Sequence, residues 1–358
     1  MRIAILEFDP DGKSATGVRA RAIKSYLERE GHQVEILSPS AEKVEEFQRS
    51  RYSLSARLKR RLFRRKTLPH LWDFLADQLE PQIERGRYDV VIGRGQEMAY
   101  ALTRSFDSIK ILDMPNICFL EKYYVWGPNL DEVDETYDKE MRIFDSADYI
   151  FCHHELLTQY LIQQFDRDGS LSKKALTVRM GSEPSSRRAR FASPPRIVYA
   201  GSYYYIQDPY MLAFLSKISP YPIDCFGPTN PNRPFLPAVL NYKGYAPEMD
   251  FLADYQFGLI TISRDILRQN SPSTKFAYYF ACGLPVLFPE WMKEGYTYPD
   301  CAIAYNEENF VERVQAAMER ERWQRMSDSA LDVASELTWD KVLKPLGDLL
   351  SERKKTCL

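Results

Sequence analysis

Twice along this chain a short apolar run breaks into turn residues and is followed by a helical period and a second apolar run. The first instance spans residues 2–37. Ile3-Ala4-Ile5-Leu6 leads into Phe8-Asp9-Pro10-Asp11-Gly12. Apolar side chains then return at helical spacing (Val18, Ala22, Ile23, Tyr26, Leu27) until Gly31 stops the helix, and Gln33-Val34-Glu35-Ile36-Leu37 resumes as a strand. A strand, a crossover helix and a second strand read as a βαβ unit, which demands parallel strands covered by helices. Further strands are predicted at 89–92, 110–112 and 149–152, with helical stretches at 96–105 and 135–146.

Residues 181–195 lose the apolar period and read as a linker rich in Ser, Arg and Pro. Arg196-Ile197-Val198-Tyr199-Ala200-Gly201-Ser202 then repeats the strand-and-glycine opening, and strands are predicted at 222–227, 257–261 and 284–288. For 358 residues, two α/β halves facing a cleft are more economical than one domain. Ligands of open α/β sheets bind beyond the C-terminal strand ends, so function is expected where the halves face each other. The expected divisions are 1–182, 196–335 and a terminal helical segment 336–358.

Composition narrows the function classes. With 44% apolar and 27% charged residues the chain is globular, which excludes disorder and a disulfide miniprotein. Lys and Arg number 48 against 50 acidic residues, so no general affinity for polyanions is implied and nucleic acid is not an expected partner. Six cysteines without a CxxC pair read as reduced thiols, pointing to a cytoplasmic protein. The opening strand is too short for a signal-peptide core, and no apolar run approaches the roughly 18 residues that cross a bilayer. One basic run stands out: Arg57, Lys59, Arg60, Arg61, Arg64, Arg65 and Lys66 alternate with Leu58, Leu62 and Phe63. It reads as an interfacial helix drawn to an anionic membrane surface, with a solvated charged face as the plainer alternative.

The densest motif is Asn270-Ser271-Pro272-Ser273-Thr274-Lys275-Phe276-Ala277-Tyr278, running on to Gly283-Leu284-Pro285-Val286. It contains a capping region, an amphipathic helix, a closing glycine and a buried strand. Backbone N–H groups at the helix start, the hydroxyls of Ser273 and Thr274, and the Lys275 amine suit a diphosphate; capping without any ligand uses the same residues. Gly17 admits a similar pair of readings, close approach of a ligand to a helix start or relief of loop strain. Gly12-Lys13-Ser14 is not a P-loop, because Glu7 stands where that motif needs its first glycine. Asp9 and Asp11 read as turn formers and no metal site is expected.

These segments, in this order, resemble the GT-B glycosyltransferases, in particular the bacterial glycosyltransferase family 4 group (glycosyl transferases group 1). The resemblance rests on the opening strand with Gly17, Gly31-His32-Gln33-Val34, Asp145-Ser146-Ala147-Asp148-Tyr149-Ile150, residues 196–202, Lys243-Gly244-Tyr245 and the motif at 271–286. It implies two Rossmann-like domains, with the terminal helix crossing back onto the N-terminal one and Trp339 anchoring it. It further implies a UDP- or GDP-linked sugar held mainly by the C-terminal half, and a glycan or glycolipid acceptor held by the N-terminal half. Hexosyl transfer would proceed with no cofactor and no essential metal. Ser273, Thr274 and Lys275 map to the phosphate-binding helix start, Gly201 and Ser202 to the loop after the first C-domain strand, and Tyr245 to a place beside the nucleobase.

Two departures accompany the resemblance. Asn270 and Tyr278 occupy the positions of two glutamates that bind donor sugar and ribose, and a tyrosine offers one oxygen where a carboxylate accepts two hydroxyls. Tyr203-Tyr204-Tyr205 follows Gly201 where an Arg and Lys pair is usual, which leaves Arg264 or Arg268 to supply the missing charge or to face solvent. A noncatalytic nucleotide-sugar-binding protein of the same fold is therefore the alternative. On the acceptor side, Asp113 after the strand 110–112 is a candidate base or a turn residue, and His153 and His154 follow another strand, with His153 the second catalytic candidate.

Overall fold

Ile3, Ala4, Ile5 and Leu6 have no exposed surface, as a central strand covered on both faces requires. This run is β1 (Arg2–Leu6) of a six-stranded parallel sheet. It is completed by β2 (Gln33–Leu37), β3 (Val90–Arg94), β4 (Ile109–Met114), β5 (Tyr149–Cys152) and β6 (Ala175–Thr177), in the order β2-β1-β3-β4-β5-β6. A second parallel sheet holds β7 (Ile197–Ala200), β8 (Ile223–Phe226), β9 (Asn241–Gly244), β10 (Phe257–Leu259), β11 (Val286–Pro289) and β12 (Ala302–Tyr305), in the order β12-β11-β10-β7-β8-β9. The computed structural model describes residues 1–11, 15–52, 70–125, 130–201, 208–228, 240–246, 249–271, 273–295, 298 and 300–356. The Gly12-Lys13-Ser14 segment, Ser202, Tyr203-Tyr204-Tyr205, Pro272 and the basic run with Arg57, Lys59, Arg60, Arg61, Arg64 and Arg65 lie outside the described residues.

The chain forms two units. One comprises Met1–Phe119, Asn129–Val178 and Pro345–Leu358, and the other Leu120–Pro128 and Arg179–Lys344. In each sheet the chain winds outward from one central strand and then returns to its other side, from β1 and β2 to β3, and from β7, β8 and β9 to β10. The reversal leaves a crevice outside the carboxyl ends of the two strands that flank it, the usual ligand position of such sheets. In the first unit the flanking strands are β1 and β3; in the second they are β7 and β10.

The stretch read as a linker is anchored along the second unit. Ser182 Oγ donates to the Ala277 carbonyl at 3.2 Å, Ala189 N–H to that of Cys282 at 2.9 Å, and the Arg190 carbonyl accepts from Gln256 Nε2 at 2.9 Å. Its lost periodicity marks a segment lying on a folded surface, and it belongs to the Arg179–Lys344 stretch of the second unit. β6, β9 and β12, which the sequence did not suggest, are all edge strands of three or four residues. Edge strands are half-exposed and carry little apolar signal. The closing helix Lys344–Thr356 docks within the first unit, where Arg353 Nη2 donates to the Tyr149 hydroxyl at 2.8 Å. Trp339 is buried in the second unit, its ring lying 2.7 Å from where a Cβ on Gly181 would stand. Among the described residues no helix is long and apolar enough to cross a membrane.

Candidate functional site

In the second unit, two motifs far apart in sequence meet at the sheet reversal. The helix Lys275–Ala281 buries Phe276, Ala277, Tyr279 and Phe280, and Gly283 at φ +71° closes it. That burial fixes the helix against the sheet and sends the Lys275 side chain to the end of β7. A Cβ on Gly201 would stand 2.9 Å from Lys275 Nζ, so only glycine lets the amine lie this close to the strand-end backbone. Lys275 Nζ also lies 5.3 Å from the centre of the buried Tyr199 ring. The Lys275 side chain is half-exposed, with its amine set against Gly201 and the Tyr199 ring. Desolvation first, and the Arg268 guanidinium second, lower it to about 7.

Ser273 and Thr274, at the mouth of this helix, are half-exposed, and Ser273 Oγ accepts weakly from the Lys275 N–H at 3.4 Å. Of the two arginines offered as replacement charge, Arg268 is the one near Lys275, whereas Arg264 is exposed on its loop. Tyr278 and Asn270 are half-exposed, and Asn270 Nδ2 donates to the Ile266 carbonyl at 2.7 Å. Tyr245, just past Gly244 at φ +93°, presents 54% of its surface to solvent. The arrangement offers Lys275 beside a strand end, Arg268 near it, helix-start amides and hydroxyls, which together can hold a diphosphate.

The first unit carries a buried charge cluster at the equivalent place. Arg94, at the end of β3, is the register partner of Asp113 on β4, and their side chains form an ion pair. Arg19, from the helix Ala15–Arg29, reaches the same carboxylate with Nη2 at 2.8 Å from Oδ1 and Nε at 3.1 Å from Oδ2. Arg94 Nε lies 3.5 Å from Glu7 Oε2, just beyond β1, and His153 Nε2 lies 3.2 Å from Asp113 Oδ1. Burial lowers both guanidinium groups to about 9, still above neutrality, so both are cations at pH 7. Burial also raises the Glu7 carboxyl, against the opposing pull of Arg94.

Asp113 reads in the sequence as a candidate base or a turn residue, and its position argues against the first of these. It has no exposed surface, and two guanidinium groups and an imidazole occupy its oxygens. What it can do is orient His153. Burial, then Arg19 and Arg94, hold the His153 imidazole well below its ordinary 6.5, so it is neutral near pH 7. With Nε2–H given to Asp113, the lone pair resides on Nδ1. The neighbouring His154 is structural: its Nδ1 accepts from Leu156 N–H at 3.1 Å and caps the helix Glu155–Phe165. Gly17 is buried within the first turn of its helix.

Arg19, Arg94 and Glu7 escaped the sequence reading. Arg19 shares the buried helix face of Ala20, Ile23 and Leu27, and a charge placed among core positions was the available signal. His70, Asp73 and Glu135 bring ligand atoms within 4.8 Å of one another. His70 Nδ1 accepts from Trp72 N–H at 3.2 Å, which leaves the proton on Nε2 of a neutral ring, and Asp73 pairs with Lys139 at 2.8 Å. His70 and Asp73 are thus committed to capping and ion pairing.

No family model matches the chain, and no curated protein matches it. Solved structures do. Anabaena HepE, in complex with UDP and glucose, is 11% identical with a TM-score of 0.66, over 98% of this chain and 99% of that one. The chain has the fold of the GT-B glycosyltransferases. Other GT-B structures agree. An alpha-glucosyltransferase solved with UDP and a 13-mer DNA aligns over 98% of this chain and 99% of its own, at 12% identity and a TM-score of 0.60. S. aureus TarM, solved with UDP, aligns over 78% of this chain and 58% of its own, at 11% identity and a TM-score of 0.57.

Proposed function

We propose that this protein is a glycosyltransferase that moves a hexose from a UDP- or GDP-linked donor to the hydroxyl of a glycan or lipid-linked acceptor. The observation that carries the reading is the Lys275 amine set against Gly201 at the β7 end beside the sheet reversal, with Arg268 close enough to act on that amine. An amine whose basicity is lowered by burial and by a neighbouring guanidinium is stabilised in its charged form by a dianion, and the leaving group of such a donor is a diphosphate. Fold neighbours solved with UDP support the same chemistry. In the reaction the acceptor oxygen bonds to the anomeric carbon, the bond from that carbon to the diphosphate oxygen breaks, and the acceptor proton passes to His153 Nδ1. Lys275 and Arg268 take up the charge growing on the departing diphosphate, the task a divalent cation performs elsewhere. Asn270 and Tyr278 meet the donor's hydroxyls, and Tyr245 stacks on the base.

A catalytic role is favoured over sugar-nucleotide binding alone by His153, a neutral base with an oriented tautomer. The basic run around residue 60 is proposed to hold the protein at an anionic cytoplasmic membrane surface where a lipid-linked acceptor resides. The deciding experiment measures release of free nucleoside diphosphate from UDP- and GDP-hexoses, with and without mixed glycan and lipid acceptors. Turnover of one donor supports the reading, and tight binding with no turnover on any acceptor would leave a binding protein.

Lys275→Ala is expected to weaken UDP binding by about 10–100-fold, as the loss of charge-assisted contacts implies. Calorimetric titration checks this. UDP affinity of the wild type is expected to fall as pH rises through about 7, because the free amine loses the proton that the phosphates require. The Lys275→Ala variant should lack that dependence, and an identical pH profile in both would exclude Lys275 from the site.

A further inference from the structure

We infer that Tyr279 is a positioning residue of the diphosphate site, its phenol oxygen bridging the Ala200 N–H and the Leu259 carbonyl so that the Gly201 backbone is fixed against Lys275. The inference rests on the proposed donor site and deepens it. Register pairing of β7 with β10 is recorded for Ile197 with Phe257 and Val198 with Gly258, and goes no further. Just beyond, where the strands part at the sheet reversal, the Tyr279 hydroxyl accepts from Ala200 N–H at 3.0 Å and donates to the Leu259 carbonyl at 3.1 Å. The Val198 carbonyl is farther away, at 3.5 Å, so the single hydroxyl proton goes to Leu259. A side chain thus ties the two strands together where their direct pairing has ended, satisfying backbone groups that lie in buried surroundings.

Lys275 and Tyr279 stand four residues apart on one helix and therefore on one face, and both reach the end of β7. Lys275 lies against Gly201, and Tyr279 holds the preceding residue, Ala200. On its other side Gly201 N–H donates to the Phe226 carbonyl of β8 at 2.9 Å. The backbone on which the amine rests is therefore pinned on both flanks, one pin being carried by the helix that carries the amine. Space for the ring comes from Gly258, where a Cβ would stand 2.5 Å from it. Tyr279 has no exposed route to a ligand of its own, being 1% exposed, so its influence must pass through Ala200 and Gly201.

The test is a cycle of Tyr279→Phe, Lys275→Ala and the double variant, read by UDP titration. Tyr279→Phe, which keeps the ring, is expected to weaken UDP binding about fivefold or more in the wild-type background, near the net worth of one hydrogen bond. It should have no further effect once Lys275 is gone. Gly258→Ala, which displaces the ring and keeps the hydroxyl, is expected to act in the same direction and serves if the phenylalanine variant folds poorly. A ligand-free reading separates this inference from the proposed activity. The pH dependence of Lys275 labelling by an amine-reactive acylating reagent should shift in Tyr279→Phe, even if the wild type were to bind no nucleotide. Equal losses of UDP affinity in both Lys275 backgrounds, or an unchanged labelling profile, would assign Tyr279 to general stability and overturn the proposal.

Discussion

Replacing His153 with alanine is expected to lower kcat by about 10²–10⁴-fold, the usual contribution of a positioned general base. UDP affinity should be unchanged, because the diphosphate contacts are assigned to Lys275, Arg268 and the helix start. The separation of kcat from donor Kd is the informative part, since a fold defect would move both. The pH profile of the wild type carries a second signature. A base held well below 6.5 keeps its lone pair through mildly acidic conditions, so the acid limb of activity should lie well below that value. Stability has the opposite sensitivity. Its folded-state value is depressed, so acidification through about 6.5 protonates the unfolded chain first and draws the equilibrium toward it. Stopped assays and urea titrations across that range check both directions.

Asp113→Ala is expected to destabilise the first unit by about 3–5 kcal/mol, the cost of removing one partner from a buried ion cluster. Arg19 and Arg94 would be left facing each other with only Glu7 to balance them, and all three are buried. A fall in the urea midpoint with little change in slope is the expected result. Coupling Arg19→Met to Asp113→Ala should return part of the loss, because an apolar side chain then replaces an uncompensated cation. Equal stability of Asp113→Ala and wild type would mean that the cluster is hydrated and that Asp113 is not what orients His153.

How much of this was legible in the residues depends on what kind of signal each feature leaves. The central strands were readable because burial on both faces demands continuous apolar runs, as in Ile3 to Leu6 and Val90 to Ile92. The edge strand Asn241–Gly244 carries one intermediate tyrosine among polar neighbours and leaves almost no trace. The motif around Lys275 was visible as a cap, a helix and a closing glycine, and its link to Gly201 could be suggested only by resemblance to a family. The roles of Asp113 and His153 were set by Arg19 and Arg94, residues 94 and 19 positions away from Asp113 in the chain, which local spacing cannot bring together. Tyr279 looked like one more aromatic on an amphipathic helix, because a bond from a side chain to distant backbone has no sequence period.

The diphosphate assignment meets its most direct test in an affinity ladder of uridine, UMP and UDP, with the guanosine series alongside, on the wild type and on Lys275→Ala. Each added phosphate should tighten binding to the wild type for one of the two bases, and the gain from the second phosphate should largely vanish in the variant. Equal affinities along both series, or the same gain per phosphate with and without the Lys275 amine, would contradict it.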